Sequence, residues 1–261
     1  MTKIAAVIPA RMGSSRFPGK PLALIFGRPM IEHIYRRAKM CDSLGEVYIA
    51  TCDEQIQSVV EEFGGNVLMT SVAHMRASDR VAEAAMQIDA EIIVMIQGDE
   101  PMITPDMIDS ALAPMLRESN INCVNLAQRI ENREEYADRN TIKVVMNLKG
   151  DAIYFSRTPI PTVDFTKAER PEIFKQVCVI PFRREFLLKF STLPPTPLEQ
   201  SESIDMVRLI EHGEQIRMVE TATKTHAVDT PEDLVLVESL MKDDPLIPLY
   251  DDLNTVVEVL V

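Results

Sequence analysis

The sequence predicts an α/β fold, a mostly parallel sheet flanked by helices, with a smaller lobe inserted in the second half of the chain. Two observations support this prediction. Strand-like and helix-like segments alternate from the start of the chain, as in βαβ units with right-handed crossovers. The strand predicted at 91–96 is apolar without alternation after Glu91, which is typical of a strand covered on both faces. In such sheets, ligands bind at the carboxyl ends of the strands.

The first half of the chain divides clearly into elements. Residues 4–8 are an apolar run that predicts the first strand, and residues 29–40 show the helical period. Asp53 is the predicted N-cap of the next helix, which the pair Gly64-Gly65 ends. The other elements predicted here are strands at 46–51, 66–69 and 91–96 and helices at 54–63 and 78–88.

The second half is less regular. Residues 159–171 are an irregular, proline-containing connection, and no internal repeat or clear linker is present. We therefore expect a single domain over 1–243, with about 120–215 forming the lobe and 244–261 a C-terminal extension. The elements predicted are strands at 124–129, 141–146, 152–156, 175–180, 214–219 and 226–228, a helix at 198–212 and a final helix beginning at Thr230-Pro231.

Composition excludes several classes of protein. The 261 residues are 46% apolar and 26% charged, an ordinary soluble composition, and the net charge of −13 argues against binding nucleic acid through a basic face. No run approaches the roughly 20 apolar residues of a membrane span. The four cysteines have no metal-binding or disulfide spacing, so we expect free thiols. With no signal peptide evident, we expect a cytoplasmic protein.

The segment after the first strand, residues 10–21, is a candidate anion site. Its basic residues Arg11, Arg16 and Lys20 alternate with glycine, serine and proline. The backbone amides of residues 13–15 can point at one anion, and the basic side chains beside them suit a polyphosphate. An ordinary loop with solvated basic residues is the alternative.

Two aspartates are candidate ligands of a hard divalent cation. Asp99 follows the strand at 91–96, and Asp229 follows residues 226–228. Two carboxylates with triphosphate oxygens would complete a Mg²⁺ shell. Asp99 in a solvated turn and Asp229 as a helix-capping residue are the alternatives.

These residues indicate phosphoryl chemistry by positioning and charge neutralisation. The chain lacks G-x-x-x-x-G-K-[ST], which excludes a P-loop ATPase, and it lacks G-x-G-x-x-G after the first strand, which argues against a nicotinamide dehydrogenase. Its four histidines have no H-x-x-x-H spacing, so we expect surface or structural roles for them.

Several motifs, in order, resemble those of the CMP-Kdo synthetases (3-deoxy-manno-octulosonate cytidylyltransferases) over about residues 4–241. The resemblance implies a GT-A-like, Mg²⁺-dependent, usually homodimeric enzyme that joins CTP to the anomeric hydroxyl of a 2-keto sugar acid and releases pyrophosphate. The motifs are IPARMGSSRFPGKPL at 8–22, GRPMI at 27–31, QGDEP at 97–101, KVV at 143–145, YFSRTPIP at 154–161 and VDTPED at 228–233.

The resemblance also implies roles for individual residues. Arg11, Ser14 and Lys20 would hold the triphosphate, with Arg16 nearby, and Lys20 and the metal would stabilise the developing charge. Asp99 and Asp229 would hold Mg²⁺, and Arg157 would lie near the acceptor. The residues expected around cytosine and ribose are Ala10, Ser78, Arg80 and Gln97.

The departures from the family pattern cluster on the acceptor side. Gln176 and Ile180 stand where the family has histidine and tyrosine, and Asp205-Met206 replaces Glu-Gln. Arg76-Ala77 replaces Ser-Gly before the helix at 78–88. Because Ile180 and Met206 cannot hydrogen-bond to sugar hydroxyls, we expect Gln176 and Asp205 to line a remodelled acceptor pocket. Sequence drift in an ordinary Kdo enzyme is the alternative.

Four alternatives remain open at this stage. The base of the nucleotide is cytosine or another one, because the loop at 10–21 recognises phosphates, which every nucleotide shares. The acceptor is Kdo, a modified Kdo, another acidic sugar or a phosphonate. The chain is an enzyme or a catalytically silent nucleotide-binding regulator, although a silent binder has no need of two metal carboxylates. The apolar tail at 253–261 is a helix docked on its own surface or an arm that stabilises a dimer.

Overall fold

A computed structural model describes residues 2–13, 16–167 and 169–251. Lys20–Leu22 forms a short 3₁₀ helix. The strands are β1 (Ile4–Ala10), β2 (Leu24–Ile25), β3 (Arg28–Pro29), β4 (Glu46–Thr51), β5 (Val67–Met69), β6 (Ile92–Ile96), β7 (Val124–Arg129), β8 (Lys143–Met146), β9 (Ala152–Ser156), β10 (Phe174–Val177), β11 (Val179–Arg183) and β12 (Arg217–Thr221). The helices are α1 (Met30–Lys39), α2 (Glu54–Glu62), α3 (Ala77–Met86), α4 (Pro105–Arg117), α5 (Arg133–Ala137), α6 (Arg184–Thr192), α7 (Pro197–Glu202), α8 (Asp205–Glu211), α9 (Pro231–Leu240) and α10 (Ile247–Asp251).

The first sheet is mostly parallel, as predicted. Its strand order is β11-β6-β1-β4-β5, and only β11 runs antiparallel to its neighbour. Every residue of β1 is buried, because its side chains alternate between two apolar layers. One layer contains residues of α1, α2 and α4, and the other contains residues of α3, α6 and α8. Since β1 and β6 are parallel neighbours, the loops that follow them begin at the same edge of the sheet.

The second sheet is built from the second half of the chain. Its order is β12-β7-β10-β8-β9, with β12 parallel to β7 and the other pairs antiparallel. Cys178 connects β10 in this sheet to β11 in the first sheet. The two sheets therefore come together beside the carboxyl end of β6.

Three predicted elements are wrong in detail. The strand expected at 175–180 is two strands in different sheets, separated at Cys178, whose carbonyl accepts a hydrogen bond from the amide of Gln97 (3.0 Å). The helix expected at 198–212 is α7 and α8, separated by a turn at Ser203, which has φ 56° and ψ 49°. Residues 226–228 are not a strand. The amide of Val228 donates a hydrogen bond to the carbonyl of Asp99 (2.9 Å).

The helices α4, α5 and α6 were not predicted from the sequence. The expectations for cysteine and histidine agree with the structure: all four thiols are free, and each histidine has a local partner. His33, for example, is buried between the carbonyl of Ile25 and the hydroxyl of Tyr250. No helix in the described ranges is both long and apolar enough to cross a bilayer.

The chain after α9 is anchored by a buried ion pair. Nη2 of Arg37, a fully buried side chain of α1, donates to Oδ2 of Asp244 (2.7 Å), and Nη1 donates to the carbonyl of Ile103 (3.2 Å). The guanidinium also lies over the ring of Tyr250, 5.8 Å from its centroid. This pair fixes the start of the segment predicted as the C-terminal extension. The tail at 253–261 lies outside the described residues.

We expect Asp244→Asn to lower the free energy of unfolding by about 3 kcal/mol, because the substitution leaves the buried Arg37 charge without its counter-ion. Urea denaturation followed by circular dichroism measures this change. Asp243→Asn, at the exposed neighbouring position, is the matched control and should change stability by less than about 0.5 kcal/mol. Equal stabilities of the two variants would contradict an anchoring role for this ion pair.

Candidate active site

The site forms at the carboxyl ends of β1 and β6. Arg11 follows β1, and Gln97, Gly98 and Asp99 follow β6. The two segments approach so closely that a Cβ at position 98 would lie 2.6 Å from the carbonyl oxygen of Pro9. Only glycine fits this approach without moving the backbone. The glycine therefore allows Asp99 to face the basic loop.

Lys20 joins three parts of the chain. Its Nζ donates to Oδ2 of Asp99 (2.9 Å) and to the carbonyl of Val228 (2.7 Å), and it lies 3.5 Å from Oδ1 of Asp229. Burial disfavours the ammonium, but the charges of Asp99 and Asp229 outweigh it and raise the pKa of Lys20 above its usual value. The side chain is thus a fixed cation at the meeting point of the three segments.

Asp229 faces the site and does not cap α9. The helix is capped by Thr230 and Asp233, which form a reciprocal capping box. The Asp229 carboxylate instead pairs with Lys20 and accepts a hydrogen bond from Nη2 of Arg16 (2.9 Å). Burial, together with the charge of Asp99, raises the pKa of this carboxyl. The capping alternative for Asp229 is therefore wrong.

One observation indicates that the two aspartates suit a divalent cation. A cationic nitrogen, Nζ of Lys20, lies between their carboxylates. A hard cation with two carboxylate ligands takes its remaining ligands from water and from phosphate oxygens, which is the usual arrangement for Mg²⁺. Asp99 and Asp229 would supply the protein's share of that shell.

A first cavity of about 350 Å³, here called the nucleotide cavity, opens over the basic loop. Arg76 and Arg80, at the start of α3, add two cations to its wall. Ser14 lies outside the described residues. Ser78, predicted to lie beside the nucleotide, is buried and bonded to Asp205 instead of lining this cavity. The predicted residues that do line it are Ala10, Arg11, Arg16, Lys20, Arg80, Gln97, Asp99 and Asp229.

A second cavity of about 350 Å³, here called the acceptor cavity, adjoins the first. Arg157, Gln176 and Asp205, the three residues predicted to bind the acceptor, all line it. The side chains that border both cavities include Arg11, Arg16, Gln97, Asp99 and Asp229. A group bound in one cavity can therefore meet a group bound in the other at the two aspartates.

Arg157 is held by the turn after α7. Its amide donates to Oε2 of Glu202 (2.8 Å), its Nε donates to the carbonyl of Glu202 (2.8 Å), and its Nη1 donates to the carbonyl of Arg139 (3.1 Å). Burial, with the nearby charge of Arg16, lowers the pKa of the guanidinium from its usual value. An anion in the cavity would relieve that repulsion between the two arginines.

The other acceptor residues have defined partners as well. Nε2 of Gln176 donates to Oδ1 of Asn125 (2.6 Å), and Oδ2 of Asp205 accepts from the amide (3.1 Å) and the hydroxyl (2.8 Å) of Ser78. Burial raises the pKa of Asp205. Ile180 and Met206 are each about 1% exposed, so they form the apolar layer behind the polar wall.

The sequence analysis missed four residues that support the site. Asn140 accepts from Nη1 of Arg16, and Glu202 binds Arg157. Glu100 is buried beneath the site, and burial raises its pKa to about 7. Only a structure reveals the first two, because neither lies in a pattern of its own. Glu100 and Lys143 belong to the motifs at 97–101 and 143–145. The spacing of a motif does not show which of its residues bind a ligand and which support the residues that do.

Lys143 ties together the loops that carry Asn140 and Arg157. Its fully buried Nζ donates to the carbonyls of Asp138 (2.7 Å), Thr141 (2.6 Å) and Arg157 (2.7 Å). Burial lowers its pKa to about 8. The ammonium thus acts as a structural cation that fixes one wall of the acceptor cavity.

The chain is similar to several known proteins. A family model described as cytidylyltransferase matches residues 5–228. The chain is 45% identical over 250 residues to a 3-deoxy-manno-octulosonate cytidylyltransferase of Geobacter metallireducens, covering 92% of this chain and 98% of the relative. It is 48% identical over 240 residues to the same-named protein of Solibacter usitatus, covering 92% and 95%.

Among solved structures, the chain resembles CMP:2-keto-3-deoxy-manno-octonic acid synthetase complexed with CTP. The two are 40% identical, with a TM-score of 0.85, and the match covers 93% of this chain and 100% of the other. The alignment therefore extends over both sheets and both cavities.

We expect Lys143→Met to lower the free energy of unfolding by about 2 kcal/mol or more. Three buried carbonyls lose their donor, which outweighs the gain from removing a buried charge. Chemical denaturation measures the change, with the exposed Lys149→Met as the matched control. A Lys143→Met protein as stable as the control would show that the three hydrogen bonds contribute nothing net.

Proposed function

The chain belongs to the 3-deoxy-manno-octulosonate cytidylyltransferase (CMP-Kdo synthetase) family, and we propose that it transfers the cytidylyl group of CTP to Kdo, giving CMP-Kdo and pyrophosphate. The observation that carries this proposal is the pair of adjoining cavities with Asp99 and Asp229 on their shared border. Each substrate has its own cavity, and the reacting groups meet at the shared carboxylates.

The nucleotide cavity suits a triphosphate because of its charge. Arg11, Lys20 and Arg80 line it, in a protein whose net charge is −13. Local cations of this kind select an anionic substrate and neutralise its phosphates. Ala10 and Gln97 lie on the same wall and are the proposed contacts of the nucleoside.

In the proposed reaction, the anomeric hydroxyl of the acceptor attacks the α-phosphorus of CTP. A P–O bond to the sugar forms, the bond to the β-phosphate breaks, the hydroxyl loses its proton and pyrophosphate leaves. Lys20 and Arg11 stabilise negative charge on the phosphates, and Arg157 with Arg16 holds the carboxylate of the sugar acid. Catalysis then consists of positioning and charge neutralisation.

We propose Mg²⁺ as the cofactor, held by Asp99 and Asp229. When bound, it would neutralise phosphate charge as a Lewis acid. Lys20 would stay in the site with Mg²⁺ bound, because its hydrogen bond to the carbonyl of Val228 (2.7 Å) does not involve either carboxylate. A cytoplasmic location and a homodimeric state stay predictions of the sequence.

The acceptor side supports a sugar acid and admits Kdo or a modified Kdo. Arg157 supplies the cation for a carboxylate, while Gln176 and Asp205 offer polar atoms to hydroxyl groups. A silent nucleotide-binding regulator is a poorer account, because such a protein needs neither the acceptor cavity nor two aspartates facing one cation.

We expect pyrophosphate release to require CTP, Mg²⁺ and Kdo together, and we expect isothermal titration to give tighter binding of CTP than of ATP or GTP. Asp99→Asn should lower kcat by at least about 100-fold, because it removes one of two charges facing the metal. Asp42→Asn, at an exposed site, is the control.

Purine nucleotides that bind as tightly as CTP would refute the cytidine assignment. Full turnover by Asp99→Asn would refute the metal role. Turnover with another acidic sugar and none with Kdo would move the assignment to that acceptor, while leaving cytidylyl transfer in place.

A further inference from the structure

The turn between α7 and α8 touches both cavities, although none of the roles assigned above explains this. Ser203, at the centre of the turn, lines the nucleotide cavity and the acceptor cavity. Glu202 precedes it at the end of α7, and Asp205 begins α8. The turn therefore borders both cavities.

The backbone of Ser203 is strained. Its φ of 56° and ψ of 49° place it in the left-handed region, which is unfavourable for a residue with a side chain. Glycine is the usual residue at such a helix end. The serine that stands here has a hydroxyl with a partner, Arg76.

On the acceptor side, the turn holds Arg157. The carboxylate of Glu202 accepts from the amide of Arg157 (2.8 Å) and the hydroxyl of Ser156 (2.9 Å), and the Glu202 carbonyl accepts from Nε of Arg157 (2.8 Å). A shift of the turn would therefore shift the guanidinium proposed to bind the acceptor.

On the nucleotide side, the turn is held by the start of α3. Nη1 of Arg76 donates to Oγ of Ser203 (2.9 Å), and the guanidinium also lies 3.5 Å from Oε1 of Glu199 and 3.7 Å from Oδ1 of Asp205. Arg76 itself lines the nucleotide cavity, and its side chain is 23% exposed.

We propose that Arg76 is a positioning residue for the acceptor: by holding Ser203, it fixes the turn at 202–205 and, through Glu202, the place of Arg157. The inference rests on the proposed function for the identity of the two substrates. It makes the acceptor site depend on a residue of the nucleotide wall, so the two cavities are linked through protein as well as through the shared aspartates.

The kinetic test compares Arg76→Ala, Ser203→Ala and the double variant. Ser203→Ala removes only the hydroxyl and keeps a Cβ at this φ, so it isolates the hydrogen bond. We expect each single variant to raise KM for Kdo about tenfold and KM for CTP less than threefold. The double variant should be no worse than Arg76→Ala, because both changes remove the same bond.

Val72→Ala is the matched control. Val72 lies in the same loop before α3, is 80% exposed and is outside the lining of both cavities. It should leave KM for Kdo unchanged. Arg76→Ala that raises only KM for CTP, or single effects that multiply in the double variant, would overturn the proposal and identify Arg76 as a simple nucleotide contact.

A ligand-free measurement separates this proposal from the proposed function. The amide of Arg157 donates to Glu202, so its hydrogen exchange reports whether the turn is held. We expect exchange at this amide to be at least tenfold faster in Arg76→Ala than in the wild type or Val72→Ala. Unchanged exchange would overturn the proposal even if CTP and Kdo react as expected. If exchange is faster in Arg76→Ala but the wild-type protein does not use Kdo, the positioning role is supported and only the identity of the substrate is refuted.

Discussion

The contact between Lys20 and the aspartates Asp99 and Asp229 is the constraint on which the site depends. The three residues lie in separate parts of the sequence, and each follows a different element. Nζ of Lys20 lies 2.9 Å from the carboxylate of Asp99 and 3.5 Å from that of Asp229. These contacts bring together the loop after β1, the loop after β6 and the segment before α9. Without this convergence, Lys20 would lose its two carboxylate partners and the border that the cavities share would lack its acidic groups.

The same contact explains how an acidic protein can bind an anion. Two carboxylates on their own would repel a triphosphate, but Lys20 and Arg16 neutralise them before any ligand arrives. The raised pKa of Lys20 reflects that environment, in which nearby negative charge outweighs the cost of burial. The nucleotide cavity thus keeps a surplus of positive charge for a triphosphate, because Arg11, Arg76 and Arg80 line it as well.

Much of the parallel sheet and of the site could be predicted because both depend on local patterns. The uninterrupted apolar run of β6 identified a buried strand, and parallel topology alone placed Arg11 and Asp99 at the same edge. The break at Ser203 and the switch of sheets at Cys178 could not be predicted in this way. Each is decided by partners distant in the sequence: Arg76 and Arg157 for the turn, and the amide of Gln97 for the switch.

Those two unpredicted features have a common consequence for function. The switch at Cys178 moves the chain from the second sheet, which carries Gln176, to the first sheet, which carries the nucleotide loop. The turn at Ser203 binds Arg157 of the acceptor wall through Glu202 and contacts Arg76 of the nucleotide wall. Both features are held by hydrogen bonds between residues far apart in the sequence. The placement of the two cavity walls therefore depends on these contacts, and a periodic sequence pattern carries no information about it.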